Sequence, residues 1–168
     1  MISGAECTLA VGEAAVKYRA VVPTIVSADV AKDGEELVPV IPRCICDEPG
    51  VDVYHYIHTN DVPLSPKVPQ FPTCEAYYMV YGDEMQPYFL PGDKLAVSPY
   101  ALGKERKLLD GRSYIIDSVY NGLLLRTLYK VEGGFRAVAA NKLYSEEFIE
   151  DGDFYRIFRV LGLIRTNV

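Results

Sequence analysis

Short apolar segments separated by Gly and Pro constrain the fold of this chain more than any other feature. The chain has 13 Tyr, 13 Gly and 11 Pro, and its apolar runs are rich in Val, Ile and Tyr, which fit the pleated surface of a sheet. Gly and Pro interrupt regular elements and favour turns. The pattern therefore predicts a mostly β fold, largely antiparallel, with few short helices. The predicted strands are residues 38–41, 53–58, 76–81, 94–97, 113–119, 123–129, 135–140 and 155–163.

Two dipeptides predict hairpins. Asn121-Gly122 and Gly133-Gly134 each separate two predicted strands, and such pairs are typical of short hairpin loops that need positive φ. Together they join three strands into an antiparallel meander. Helix is predicted only for short pieces, at residues 12–22 and 146–149.

Residues 80–93, V-Y-G-D-E-M-Q-P-Y-F-L-P-G-D, carry the most specific motif of the chain. An ordinary acidic turn would account for Gly82-Asp83 alone. Six positions in register, however, resemble the G-D-S-M-x-P-x-x-x-x-G-D signature of LexA and the self-cleaving phage repressors, in which the Ser is the nucleophile. Glu84 stands at the Ser position, so the resemblance implies a peptidase scaffold that lacks its nucleophile. The matching positions are Gly82, Asp83, Met85, Pro87, Gly92 and Asp93.

The general base of this family is a Lys on a later strand, and Arg126 in L-L-L-R-T-L stands at the matching position. A general base must spend time neutral, and burial can drive a Lys to that state. Arg stays protonated in proteins because its pKa exceeds about 12. The resemblance thus implies that the base is lost as well. Taken alone, Arg126 could be a solvated charge on a strand. Because Glu84 stands at the matching nucleophile position, we predict that the side chains of Glu84 and Arg126 form an ion pair.

The segment that the family cleaves has Ala-Gly followed by Glu-Pro. Aligning on Glu48 and Pro49 places Cys46 and Asp47 at the matching bond, where the family residues are small and an Asp facing Glu84 would add like-charge repulsion. A weaker match, A-A-N-K-L-Y at residues 139–144, resembles the S-x-N-x-x-Y segment of the family. The resemblance covers residues 38–168 and implies the twisted β-rich carboxy-terminal domain of LexA.

Residues 1–37 lie outside the resemblance and are predicted to be a tail or linker, too short for a complete helix-turn-helix domain. The chain carries 17 Lys and Arg against 23 Asp and Glu, for a net charge of −6, so it would be repelled by a phosphate backbone. We therefore expect DNA contact only through an absent or separate N-terminal domain. No apolar run is long enough to span a membrane and no secretory signal is evident, which favours a cytoplasmic protein.

Four cysteines, Cys7, Cys44, Cys46 and Cys74, are predicted to be free thiols, as is usual in a reducing compartment. Cys44 and Cys46 precede His55 and His58 at a spacing that suggests zinc. The spacing leaves little loop, and short motifs match by chance. We therefore favour two small residues on a strand and two His in a Tyr-rich stretch, and expect neither metal nor cofactor.

The last predicted strand is apolar on both faces in its second half. Exposed edge strands usually carry charge or Pro that prevents pairing, so burial of both faces suggests a partner, and relatives pair this strand across a two-fold axis. We predict a homodimer through the segment that begins at Phe158 and ends at Ile164. The alternative is a strand that lies inside the sheet of the monomer.

Three functions remain open from the sequence. The first is a non-catalytic, LexA-like dimerisation and regulatory module of a transcriptional regulator. The second is an active self-cleaving or trans-acting serine-type peptidase with another nucleophile, for which Ser98, Ser113 and Ser118 are the nearby hydroxyls. The third is a metal- or ligand-binding adaptor on the same scaffold.

Overall fold

The structure, a computed structural model, describes the backbone of residues 4–11 and 14–21 and all atoms of residues 34–101 and 108–165. Eleven strands and two short helices lie in these ranges. The strands are β1 (Gly4–Val11), β2 (Ala14–Val21), β3 (Leu37–Pro39), β4 (Leu64–Pro66), β5 (Ala76–Met79), β6 (Lys94–Pro99), β7 (Arg112–Ser118), β8 (Gly122–Val131), β9 (Gly134–Val138), β10 (Glu147–Glu150) and β11 (Phe154–Ile164). The helices are α1 (Arg43–Cys46) and α2 (Val53–Thr59).

A seven-stranded sheet forms the body of the molecule, in the order β10-β9-β8-β7-β11-β6-β5 with every neighbour antiparallel. Two smaller antiparallel pairs, β1 with β2 and β3 with β4, accompany it. The expectation of a mostly β fold with few helices is confirmed. β11 pairs with both β7 and β6, so the last strand of the chain lies in the interior of the sheet.

Gly residues at positive φ form the two predicted hairpins. Gly122, with φ +71°, opens β8 after the turn from β7, and Gly133, with φ +78°, turns β8 into β9. L-residues rarely adopt this conformation, whereas Gly adopts it at little cost. The meander of β7, β8 and β9 is therefore confirmed.

Alternating side chains of the sheet pack into two separate hydrophobic cores, one on each face. On β7, Ile115 packs towards the helices with Ile45 and Phe158, whereas Tyr114 and Ile116 pack on the opposite face. This is the period-two alternation that the strand geometry dictates. A third cluster lies under the β3–β4 pair, and its buried members are Val38, Val40, Cys74, Tyr77 and Ala96.

Three local predictions were wrong. Residues 53–58 form helix α2, because the Asp52 side chain accepts from the His55 N–H and the buried Val53 and Ile57 recur at helical spacing. Residues 147–150 form β10, because they pair with β9. Residues 14–21 form β2, because they pair along their whole length with β1. Of the predicted tail or linker at residues 1–37, residues 4–11 and 14–21 pair as β1 and β2, and residues 1–3, 12–13 and 22–33 lie outside the described residues.

Within the ranges that the structure describes, no helix has the length and apolarity needed to cross a bilayer.

Candidate functional site

The loop between β5 and β6 carries the sequence motif, and a second segment holds it in place. The Asn141 N–H donates to the Glu84 carbonyl at 2.8 Å, and the Asn141 side-chain amide donates to the Asp83 carbonyl at 3.2 Å. The Tyr144 hydroxyl donates to the Asp83 carboxylate, which raises the pKa of Tyr144. Two residues of the weak A-A-N-K-L-Y match therefore fix the backbone on which Glu84 sits.

The remaining motif residues anchor the far end of the loop. Met85 is buried, and Pro87 follows a cis peptide bond. Gly92 turns the chain at φ +94°, a conformation that Gly adopts at little cost. The buried Asp93 carboxylate accepts from Arg165 Nε at 2.7 Å and Nη2 at 2.6 Å. This bidentate pair lowers the pKa of Asp93 and ties the end of the chain's last strand to the loop.

A small cleft of about 80 Å³ opens beside this loop. Glu84 reaches it from the loop, Arg126 from the middle of β8, and Asp47 from the residue that follows α1. The structure thus brings together the three positions that the sequence matched to nucleophile, base and cleaved bond. The lining residues are Arg43, Asp47, Tyr78, Val80, Gly82, Glu84, Met85, Asn121, Leu123, Leu124, Leu125 and Arg126.

The side chain of Glu84 folds back over Gly82. A Cβ at position 82 would overlap the Glu84 carboxylate, so the missing side chain of Gly82 makes room for this conformation. Across residues 34–101 and 108–165, the Glu84 carboxylate neither accepts a hydrogen bond nor joins an ion pair. It is an unpaired negative charge at the edge of the cleft.

Arg126 is only 6% exposed and turns away from Glu84. Its Nη1 donates to the Leu125 carbonyl at 2.9 Å, and its Nη2 lies 3.9 Å from Glu147 Oε1, too far for a hydrogen bond. Arg126 Nε and Glu147 Oε2 are buried without a hydrogen-bond partner. The predicted ion pair between Glu84 and Arg126 was therefore wrong, because Glu84 folds onto Gly82 and the guanidinium points to β10.

The predicted cleavage segment is helical and packed. Cys46, the last residue of α1, is buried and its Sγ donates to the Pro42 carbonyl at 3.3 Å; burial raises the pKa of its thiol to about 12. The Cys46 carbonyl lies so close to Gly122 that a Cβ there would overlap it. Asp47 is exposed and pairs with Arg43 at 2.7 Å. The bond between residues 46 and 47 is thus not presented as an extended strand.

None of the three serines considered as replacement nucleophiles lines the described walls of the cleft. Ser118 is buried, and its Oγ accepts from the N–H groups of Tyr120 and Asn121 at 3.3 Å. Ser98 Oγ donates to the Pro99 carbonyl. Ser113 lies on β7 opposite Thr127.

The cysteine and histidine side chains that the structure describes do not gather in one site. Cys44 forms a disulfide, so the prediction of a free thiol was wrong there, whereas Cys46 and Cys74 are free and buried. His58 Nδ1 lies 2.7 Å from the Tyr54 carbonyl. The part of the chain that the structure describes contains no group of three His, Cys, Asp or Glu side chains suited to a metal. A disulfide is uncommon in the cytoplasm, so Cys44 weighs against the predicted compartment.

Sequence reasoning missed Asp117, a fully buried carboxyl on β7. Its Oδ2 accepts from the Val53 N–H at the start of α2 at 2.9 Å, and its Oδ1 has no partner. The pKa of Asp117 is raised to about 7: burial is the largest cause, the Val53 N–H lowers the pKa, Asp52 raises it and Arg156 lowers it. The sequence signal that could have revealed this buried carboxyl is an Asp placed directly after the apolar run Tyr114–Ile116.

The chain matches no family model, and a search of curated proteins finds no match to it.

Proposed function

We propose that this chain is a non-catalytic, LexA-like module that serves as the dimerisation and regulatory part of a transcriptional regulator. The observation that carries the proposal is the cleft shared by Glu84, Arg126 and Asp47. These positions are far apart in sequence, and a chance motif would not be expected to place them around one cavity. Asn141 and Tyr144, which belong to a fourth matching segment, hold the Glu84 loop.

The chemistry of the cleft supports a lack of peptidase activity. Acyl transfer by this kind of dyad needs a hydroxyl nucleophile and a base that can exist unprotonated. Glu84 supplies no hydroxyl, and Arg126 cannot give up its proton. The described walls of the cleft carry no Ser, Thr, Cys, Lys or His that could replace them.

An open edge on β11 supports dimerisation. The pairing of β11 with β7 ends at Arg159, opposite Tyr114, whereas its pairing with β6 continues to Ile164. Among the described strands, none pairs with residues 160–164 on the β7 side. Phe158 is fully buried and paired on both sides, so the interface predicted from the sequence must start later. We place it at residues 160–164, where a second copy would extend the ladder.

The net charge of −6 disfavours direct contact with DNA. In this proposal, DNA binding belongs to a separate helix-turn-helix domain, and the present chain supplies pairing and control.

The proposal predicts that the chain stays intact at alkaline pH, where members of the family self-cleave. It also predicts that the double variant Glu84→Ser with Arg126→Lys stays intact, because its candidate bond remains at the end of α1 against Gly122. Intact mass after prolonged incubation measures both. The matched control adds Cys46→Ala and Asp47→Gly to the double variant, which restores small residues but not an extended segment. Cleavage of the double variant between residues 46 and 47 would contradict this reading of the segment, and cleavage of the wild type would overturn the proposal.

The dimer predicts that Leu163→Lys yields monomers. Leu163 is 38% exposed in the open half of β11, whereas Leu161 packs against the buried third cluster and is a poorer probe. Sedimentation at micromolar concentration measures the mass, and thermal unfolding checks that the variant is folded. Phe148→Lys is the control, because Phe148 is an apolar residue, 56% exposed, on the opposite edge strand β10. A wild type that sediments as a monomer, or a Leu163→Lys variant that remains dimeric, would refute this interface.

A further inference from the structure

We propose that the cleft binds a small primary amine in its ammonium form, with the Glu84 carboxylate and the Tyr78 hydroxyl as the groups that hold the ammonium. This inference goes beyond the proposed function and does not depend on it, because it rests on the charge, the unused hydrogen-bonding groups and the size of the cleft.

One charge among the described lining residues has no counterpart, and it is negative. Arg43 and Asp47 form an ion pair at 2.7 Å on the exposed rim, so together they contribute no net charge. Arg126 turns its Nη2 towards the Glu147 carboxylate on β10, which offsets the charge of the guanidinium. Glu84 remains, because its carboxylate joins no ion pair across the fully described part of the chain. The cleft therefore attracts a cation, in a chain whose net charge is −6.

The Tyr78 hydroxyl is a second group in the cleft without a partner. Tyr78 lies on β5 and is only 7% exposed, and its hydroxyl makes no hydrogen bond to any residue that the structure describes in full. Burial raises the pKa of this hydroxyl, and four ionisable groups close to it also act on it: Cys46, Glu84, Arg43 and Asp47. The last three line the cleft, so the hydroxyl end of the ring faces the cleft. Buried polar groups are nearly always satisfied in proteins, and this one can accept from a donor bound there.

A primary ammonium matches the acceptors that line the cleft. It has three N–H donors, for which Glu84 offers a carboxylate and Tyr78 a hydroxyl oxygen. The exposed Asn121 side chain, which forms no hydrogen bond with the described residues, offers an amide oxygen at the rim. Hydrogen bonds between ionised partners are the strong ones. Ca²⁺ and Mg²⁺ fit less well, because they take about six or more oxygen ligands and the described residues contain no group of three side chains suited to a metal.

The size of the cleft limits the rest of the ligand. A water molecule needs roughly 10–15 Å³ of such volume, so a cleft of about 80 Å³ holds about five to eight non-hydrogen atoms. Butylamine and pentylamine fall in this range, and a polyamine does not. Val80, Met85 and Leu123 supply apolar wall against which a short alkyl chain can pack.

Butylammonium chloride is the probe for the test, titrated into the intact chain at neutral pH and followed by amide chemical shifts. Sodium chloride at the same ionic strength is the reference, which separates ammonium binding from screening by salt. We expect saturable binding, with affinity lowered about tenfold or more for tetramethylammonium, which is charged but has no N–H donor, and for butanol, which has no charge. Equal binding of tetramethylammonium would overturn the role of the N–H donors, and equal binding of butanol would overturn the role of charge.

Two variants locate the site and keep the shape of the side chains they replace. Glu84→Gln is expected to lower the affinity for butylammonium about tenfold or more, and Tyr78→Phe about threefold to tenfold, since a neutral hydrogen bond contributes less than a charged one. Neither polar group has a partner in the fully described ranges, so both variants should fold, which thermal unfolding checks. Glu75→Gln, whose carboxylate accepts from Tyr54 outside the cleft, is the control and should bind as the wild type does.

The variants also state what would refute the inference. If butylammonium shows no saturable binding to the folded wild type, or if folded Glu84→Gln binds it as tightly, the inference is wrong, whatever the outcome of the cleavage and sedimentation experiments. Unchanged affinity in Tyr78→Phe would exclude the hydroxyl from the site.

Discussion

Replacing Asp117 by Asn is expected to stabilise the protein at pH 8 and to remove a component of its pH dependence. The carboxyl is fully buried, and only one of its oxygens accepts a hydrogen bond, from Val53. Burial raises its pKa from 3.8 to about 7, because the charged form loses its hydration. At pH 8 the wild type therefore holds an incompletely paired charge in its core, which Asn replaces with a neutral group of the same shape.

The direction of this pH dependence follows from proton linkage. Between pH 4 and pH 7 the folded state binds the Asp117 proton and the unfolded state does not, so this group makes the free energy of unfolding fall as the pH rises. The slope approaches about 1.4 kcal/mol per pH unit, and the contribution reaches roughly 4 kcal/mol over the full interval. Below pH 4 the stabilisation is fully present, and above pH 7 it is lost.

Urea unfolding at pH 5 and pH 8 measures the effect. We expect the stability advantage of Asp117→Asn over the wild type at pH 8 to shrink by about 3 kcal/mol at pH 5. Comparing the two proteins cancels every other titrating group. The exposed Asp61 provides the control, since Asp61→Asn should keep the pH dependence of the wild type. If Asp117→Asn also kept the pH dependence of the wild type, ionisation of Asp117 would carry no cost in stability.

Replacing Gly122 by Ala is expected to destabilise the fold and to detach α1 from β8. A Cβ at this position would overlap the Cys46 carbonyl, and the backbone sits at φ +71°. The left-handed conformation costs an Ala about 1–2 kcal/mol, and the overlap with backbone adds about 1–3 kcal/mol. Since Cys46 ends α1 and the bond to Asp47 follows it, the damage should centre on that wall of the cleft.

Gly133 offers a matched control at the other end of β8. It has nearly the same φ, +78°, but nothing lies within 4 Å of its missing Cβ, so Gly133→Ala should show the conformational cost alone. Urea unfolding gives the difference between the variants, and the alkylation rate of Cys46 reports the local effect. We expect faster alkylation of Cys46 in Gly122→Ala, with Cys74, buried elsewhere, as the internal reference. Equal unfolding free energies for the two variants would show that α1 moves aside without cost.

Local pattern predicted most of the sheet but failed where a tertiary partner chose the conformation. Alternating residues and Gly turns predicted β7, β8 and β9, because strand geometry and positive φ depend on adjacent residues. Residues 53–58 resemble a strand in composition. They form a helix because Asp52 caps the first turn, because the buried carboxyl of Asp117 accepts from the first helical N–H, and because Val53 and Ile57 face the core on one side. The Asp52 cap is a local signal, whereas no window of sequence around α2 contains Asp117.

The motifs selected positions that line one cleft, and the side-chain contacts there differ from those expected. Glu84, Arg126 and Asp47 share this cleft. The absence of a Glu84–Arg126 pair depends on the space that Gly82 leaves for the carboxylate and on the position of Glu147 two strands away from Arg126. Such distances between side chains are set only when β8, β9 and β10 are assembled.

The sequence by itself determined strands β3, β5 to β9 and β11, the two hairpins, the motif loop, and the presence of Glu at position 84 and Arg at position 126, because each depends on residue identity or on neighbours in the chain. The tertiary structure decided that β11 lies between β7 and β6, that α1 packs its last carbonyl on Gly122, and that Asp117 is buried under α2. These features are contacts between distant segments, and the packing of the whole sheet selects among the partners that each segment could accept.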